Sequence, residues 1–346
     1  MTRLSAYFLS FAVVITFLIF AFGSATQKAP PVNYGALYVP QESGYKFYKI
    51  TDDLDGICSG FGVGYQRYYS NLNTNIIDVS RSEKLITYQG VSSKNGSREA
   101  NMYLRKTESV KLKQQRTFQP WTFGPAISQD DKMIAYSQTK DNKTNIYIVG
   151  AESGAKIQQV TNTSTFTNNP VFFPDNSKVL FTEREKVGQV YNAKTQQYDN
   201  TYDRFLWSYD LKKGTLIQYG KGSQADFFPD GQQVVCVRND YELWILNLET
   251  GQEYSLLSDN IKGYAQPVVS PDGKRVAFVS LSVLKDKTNN WDIFTINADG
   301  TGMTQITFHH GNDFNPKWSK DGKSLYFVSQ RGSGPGNYNI WKVTIE

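Results

Sequence analysis

From residue 45 onward, apolar side chains come in short runs, continuous or alternating with polar ones, separated by turns containing Pro, Asp and Gly. That period of two predicts strands. One phrase shows the pattern most clearly: Pro267-Val268-Val269-Ser270-Pro271-Asp272-Gly273-Lys274-Arg275-Val276-Ala277-Phe278-Val279-Ser280. It reads as an apolar strand, a Pro-Asp-Gly turn in which Pro presets φ and Gly accepts a positive φ, and an apolar return strand. Siblings begin at Asp226-Phe227-Phe228-Pro229-Asp230-Gly231, Pro170-Val171-Phe172-Phe173-Pro174-Asp175, Pro316-Lys317-Trp318-Ser319-Lys320-Asp321 and Pro125-Ala126-Ile127-Ser128, with a degraded copy at Asp78-Val79-Ser80. Their anchor positions, 80, 128, 173, 228, 270 and 319, lie 48, 45, 55, 42 and 49 residues apart.

Each phrase leads into a third strand of alternating large residues, such as Leu243-Trp244-Ile245-Leu246 or Asp292-Ile293-Phe294-Thr295-Ile296. A second tight turn follows, and then a fourth strand with a shared tail, Gln159-Val160-Thr161 or Gln305-Ile306-Thr307. Four antiparallel strands at this period predict an all-β, six-bladed β-propeller over residues 44–346. The last unit stops at Glu346 after its third strand, and Phe47-Tyr48-Lys49-Ile50-Thr51 matches the tail that it lacks. The N-terminal strand is therefore expected to complete the last blade, which leaves no long open edge.

The repeated phrase resembles the WD40-like (PD40) repeat of the TolB-type six-bladed propellers over about residues 45–346, and Asn312 to Val328 looks like a standard member of it. The resemblance implies a six-bladed propeller fold. It departs from the family in having only about 20 residues between the leader and the first propeller strand, where the family carries an α/β domain. A similar propeller precedes the hydrolase domain of prolyl oligopeptidase-like enzymes, but no GxSxG turn occurs in this chain.

Composition agrees with strands: 21 Phe, 22 Tyr and 6 Trp stand among 346 residues of which 20% are charged. This aromatic content excludes a disordered chain. The net charge of +5 is spread without a basic block, so nucleic acid is not expected as a partner. Cys58 and Cys236 form no CxxC and are expected as two unpaired thiols. Arg3, the apolar run Ala6 to Phe22 and the small residues Gly23-Ser24-Ala25 predict a signal peptide over 1–25, with a Pro-containing tether over 26–43. A periplasmic or secreted protein follows, and membrane attachment only if the leader stays uncleaved.

Turns between strands one and two and between three and four share one face of a propeller, and here they are short. The long insertions, Leu54 to Asn75, Gly90 to Ala100, Glu183 to Arg204 and Leu281 to Asn290, all fall on the other face. That face is the expected functional surface, because binding residues concentrate on loops held by a rigid scaffold. Its candidate contact aromatics are Tyr65, Tyr68, Trp121, Phe123, Tyr198, Tyr264 and Phe314, with the alternative that they pack the loops onto the blades. Four positions before each anchor stand Ile76, Gly124, Asn169, Gln224, Gln266 and Asn315. Four amides in six suggest a hydrogen-bonding channel mouth, or caps on the inner strands.

Nothing in the sequence requires a cofactor or a metal. The two histidines, His309 and His310, are adjacent and would point to opposite faces of a strand. The Asp residues of the Pro-Asp-Gly turns are turn formers. Glu183, Glu185, Asp199 and Asp203 are the acids left to a catalytic reading. The expected function is non-catalytic binding of a protein or peptide at the cell envelope, with carbohydrate binding on the same face as the alternative and a propeller hydrolase or lyase behind it.

Overall fold

The computed structural model describes residues 45–51, 75–94, 97–107, 113–115, 121–152, 154–192, 194–259, 261–283, 289–331 and 338–345. The expected leader, tether and most of the first long insertion, with Cys58, Tyr65 and Tyr68, lie outside these residues. Every regular element described is a strand. In chain order these are β1 (Lys46–Lys49), β2 (Ile77–Val79), β3 (Leu85–Lys94), β4 (Ser97–Lys106), β5 (Lys113–Gln115), β6 (Thr122–Ile127), β7 (Met133–Lys140) and β8 (Lys143–Gly150). Next come β9 (Gln158–Gln159), β10 (Phe166–Phe172), β11 (Lys178–Asn192), β12 (Gln197–Asp210), β13 (Leu216–Lys221), β14 (Ser223–Phe227), β15 (Gln233–Arg238) and β16 (Glu242–Asn247). The rest are β17 (Glu253–Ser258), β18 (Tyr264–Val269), β19 (Arg275–Val283), β20 (Asn289–Asn297), β21 (Thr304–Gln305), β22 (Asp313–Trp318), β23 (Ser324–Ser329) and β24 (Asn339–Thr344).

Strands β2 to β5, β14 to β17 and β18 to β21 form three four-stranded sheets in sequence order. Strands β6 to β13 form one eight-stranded sheet, whose two halves meet where Phe166 pairs in parallel with Thr144. The remaining sheet has the order β1-β24-β23-β22. The N-terminal strand thus pairs antiparallel with the last one, from Lys46 opposite Thr344 to Lys49 opposite Trp341.

The repeated phrase is a turn clamp. The Ser270 hydroxyl donates to Asp272 Oδ1 (2.6 Å) and accepts the Arg275 amide (2.9 Å). Ser319 does the same with Asp321 and the Ser324 amide, and Ser128 with Asp130 and the Met133 amide. Accepting the serine hydroxyl holds each of these carboxyls below the usual aspartate value. These acids therefore stay ionised at neutral pH as parts of the turn.

The shared tail is a second clamp. Thr161 Oγ1 accepts the Ile146 amide (2.9 Å) and donates to Asn145 Oδ1 (3.1 Å). Thr307 makes the same pair with the Ile293 amide and Asp292. In the last sheet Thr51 accepts the Ile340 amide (2.8 Å) and donates to Asn339 Oδ1 (3.0 Å). Its tail matches the other two in bonding as well as in sequence.

Apolar faces of neighbouring units interlock. Ile76, Ile77, Ile86 and Tyr88 of the first unit share one buried cluster with Tyr326, Val328 and Ile340 of the last. Glu83 of the first unit accepts from Tyr326 Oη (2.8 Å) and Lys342 Nζ (3.2 Å) of the last. Arg331 lies over the rings of Phe47 (4.2 Å) and Phe327 (5.1 Å) and pairs with buried Asp313 (3.1 Å), so one guanidinium fastens β1 to its sheet.

The insertions expected as loops are partly regular. The β3–β4 and β19–β20 hairpins extend to Lys94 opposite Ser97 and Val283 opposite Asn289. Glu183 to Arg204 continues β11 and β12 as a paired ribbon to Asn192 opposite Gln197. Alternation of large and polar residues there, Tyr191 and Tyr198 included, is what a two-sided strand pair requires.

Candidate functional site

The amide positions lie together, inside the molecule. Asn169, Gln224, Gln266 and Asn315 are between 0 and 4% exposed, and each has a φ of 50–55°. Each sits at a register shift of its hairpin: between Asn168 and Val171, Ser223 and Asp226, Ala265 and Val268, and Phe314 and Lys317. The extra residue of such a bulge needs a left-handed backbone, and glycine takes it at least cost. Gly124, with φ 63°, occupies the corresponding bulge of β6.

The side chains then link one inner strand to the next. Asn315 Oδ1 accepts the Ile76 amide (2.8 Å), Gln266 Oε1 the Asn315 amide (2.8 Å) and Gln224 Oε1 the Gln266 amide (2.7 Å). Thr182 Oγ1 accepts the Gln224 amide (3.2 Å), and Asn169 Oδ1 the Asn75 amide (3.2 Å). Gly124 donates to the Asn75 carbonyl (2.9 Å). A polar belt thus runs from β2 round to β22, satisfying the backbone donors of the bulged residues Gln224, Gln266 and Asn315 and of Asn75 and Ile76 ahead of β2.

The aromatics divide. Phe123, Tyr264 and Phe314 are buried; Tyr264 meets Phe278 edge to face (5.5 Å), Phe314 meets Tyr338 (5.2 Å) and Phe123 stacks on Phe166 (6.0 Å). Trp121 and Tyr198 are exposed, Tyr198 by 67%. Tyr191 and Tyr202 are exposed beside Tyr198 on the ribbon. Trp121 adopts φ 66° at the start of β6, with its carbonyl accepting the Thr139 amide.

A cavity of about 80 Å³ lies toward the Pro-Asp-Gly end of the inner strands, lined in part by Asp78, Arg81, Asp226, Lys317 and Trp318. Asp78 Oδ2 accepts the Ile127 amide (2.7 Å) and Asp226 Oδ2 the Val269 amide (2.7 Å), so both acids bridge neighbouring inner strands. Lys317 pairs with Asp78 at 3.2 Å. Burial raises the Asp226 carboxyl above its ordinary value, with Lys317 pulling the other way. The sequence carried a signal for this group: Asp78, Asp226 and Lys317 each stand two residues before an anchor.

A raised carboxyl favours the folded state while protonated, and its contribution is lost as pH rises through the folded-state value. Asp226→Asn keeps an acceptor for Val269 and removes the charge. The variant is expected to melt above the parent at pH 8, by a margin that shrinks toward pH 4. Thermal melts across that range check it, and a parent that is the more stable at pH 8 would refute it.

The acids left to a catalytic reading are held in separate bonds. Glu183 accepts the Thr165 hydroxyl (2.6 Å) and is raised by burial. Glu185 accepts Trp207 Nε1 (2.7 Å), Asp199 accepts Asn192 Nδ2 (2.7 Å) and Asp203 pairs with Lys221 (2.5 Å). His309 Nδ1 accepts the Gly311 amide (3.0 Å). No group of three His, Cys, Asp or Glu side chains is placed to hold a metal among the described residues. Cys236 is buried and unpaired, its thiol pushed up to about 12 by burial. No helix among the described residues is long and apolar enough to cross a membrane.

Residues 223–345 match the family described as TolB beta propeller domain. The Tol-Pal system protein TolB of Francisella tularensis subsp. mediasiatica is 25% identical over 215 residues, 61% of this chain and 46% of that protein. The chain's matches span from a tenth to under half of its curated relatives' own length. Among solved structures, a putative TolB from Agrobacterium tumefaciens superposes with a TM-score of 0.51 at 15% identity, covering 79% of this chain and 90% of that one. An oligogalacturonate lyase from Vibrio parahaemolyticus superposes with a TM-score of 0.55 at 14% identity, covering 89% and 96%. At such identities these two likenesses concern the fold alone. With the phrase at anchors 228, 270 and 319 inside the matched segment, residues 223–345 are TolB-like β-propeller repeats.

Proposed function

We propose that this chain is an exported, non-catalytic binding propeller that engages a protein or peptide partner at the cell envelope through its long-hairpin face. Residues 1–25 serve as signal peptide and 26–43 as tether, and residues 44–346 form six blades closed by β1. The observation that carries the reading is the contrast between the two faces. Serine-clamped turns trim one, whereas the β11–β12 ribbon on the other exposes Tyr191, Tyr198 and Tyr202. Trp121 and Tyr198 are the contact residues, and Asn169, Gln224, Gln266 and Asn315 hold the inner strands beneath the channel mouth. Similarity to a Tol-Pal system protein supports a partner at the envelope. The separate engagement of Glu183, Glu185, Asp199 and Asp203 supports binding over catalysis.

The test is cross-linked capture from an envelope fraction, run beside a glycan array. One polypeptide enriched by the parent and lost with Trp121→Ala/Tyr198→Ala is the expected result. Array binding without any enriched polypeptide would replace this reading with carbohydrate recognition.

A further inference from the structure

Beyond Arg184, β11 has no partner in β10, and beyond Phe205, β12 has none in β13, so the ribbon leaves its sheet as an isolated strand pair. It spans about 20 Å from Lys186 opposite Tyr202 to Asn192 opposite Gln197. The register shift between Lys186 and Gly188 changes which residues share a side. Lys186, Gln189 and Tyr191 therefore face the same way as Tyr202, Asn200 and Tyr198, and Arg184 and Arg204 continue that side toward the sheet. The reverse side carries Glu185, Asp199 and Asp203. Outside the register shift and the turn, one side holds cations and no carboxylate, and the other holds carboxylates and no cation.

The acids of the reverse side are engaged with Trp207, Asn192 and Lys221. On the first side the Arg184 guanidinium lies over the Tyr202 ring at 4.0 Å, the Gln189 amide donates to Asn200 Oδ1 (2.9 Å), and Tyr191 meets Tyr198 at 5.4 Å and 62°. Arg204 is paired with Asp240. Lys186 is exposed and forms no ion pair among the described residues.

We infer that this basic, tyrosine-bearing side of the ribbon docks an acidic polypeptide segment. The inference rests on the binding reading above and specifies its partner chemistry. Charge complementarity selects an anionic partner. The aromatic geometry favours polypeptide over glycan: a sugar ring stacks on a bare aromatic face, but Arg184 occupies one face of the Tyr202 ring, and Tyr191 and Tyr198 stand edge to face. Tyrosines held by neighbours, among carboxamides, present hydroxyls and ring edges at low entropy cost.

The probe is a fluorescein-labelled 20-residue poly-L-glutamate, titrated against the full chain at low salt by fluorescence anisotropy. Lys186→Glu removes one attraction and adds one repulsion at an exposed position, and is expected to weaken binding about five- to tenfold. Tyr198→Ser is expected to weaken it, and Asp199→Lys, on the reverse side, to leave it unchanged. Equal affinities across all four proteins, or binding of labelled oligogalacturonate but not of the glutamate chain, would overturn the inference. A partner captured from the envelope fraction alongside a glutamate chain that fails to bind would sink the inference alone. Failure of capture as well would sink the binding reading with it.

Discussion

A chain lacking residues 1–51 is expected to be insoluble or to aggregate, whereas one lacking only residues 1–44 folds. The second truncation keeps β1, and the first strips it from β24 along four register pairs. Its loss uncovers an edge strand that can pair with other chains. Phe47, which meets Phe327 edge to face at 6.2 Å, leaves the Arg331 guanidinium over a vacated site beside buried Asp313. It also removes Thr51 as partner of the Ile340 amide and Asn339. Thr51→Val isolates that last contribution at nearly constant shape, at a cost of about 1–3 kcal/mol. Size-exclusion chromatography and thermal melts read both effects. A monomeric 52–346 fragment melting with the parent would refute the role of β1.

The second large effect is expected at Asn315. Asn315→Leu places a branched side chain at φ 55° and leaves the Ile76 amide without its acceptor at a fully buried position. The conformational cost of about 1–2 kcal/mol and the unmet donor's about 1–3 kcal/mol together predict a loss of about 2–5 kcal/mol. Asn315→Gly relieves the backbone while still losing the acceptor for Ile76 and, like the leucine variant, the bond from Asn315 Nδ2 to Asn75 Oδ1 (3.2 Å), so it should fall between the parent and the leucine variant. Urea unfolding of the three proteins gives the order. Leucine and glycine variants of equal stability would show that the left-handed backbone costs nothing here.

Much of this fold was legible because local and global signals agree in this chain. The Ser-Pro-Asp-Gly phrase needs its serine and aspartate to clamp the turn that its proline and glycine shape, so the turn repeats in sequence wherever it repeats in space. The tail threonine is legible for the same reason, and it led from Thr307 to Thr51 across the whole chain. The amides four residues before each anchor were visible as positions, and capping the inner strands was one of their two readings. Their bulges could not be read, because a bulge is a property of two paired strands and only its left-handed residue leaves a trace. Phe123, Tyr264 and Phe314 are indistinguishable in sequence from exposed aromatics such as Trp121; packing between units buries them. The charge-sorted sides of the ribbon were hidden by one extra residue at Lys186–Gly188, since strict alternation would put Gln189 and Lys186 on opposite sides.

The pairing of β1 with β24 also sets a timetable. Thr51 and Ile340 are separated by 289 positions. At about 5–20 residues per second, ribosomal synthesis leaves the first strand waiting on the order of 15–60 s for its partner. Closing so long a loop is slow in any case. During that wait β1 is a short strand with an aromatic pair, Phe47 and Tyr48, and no ladder. Lys46 and Lys49 stand at its two ends, and charged lysines on an unpaired strand deter other chains from adding to it. The two lysines that look incidental in the finished protein are thus expected to keep other chains off the nascent strand.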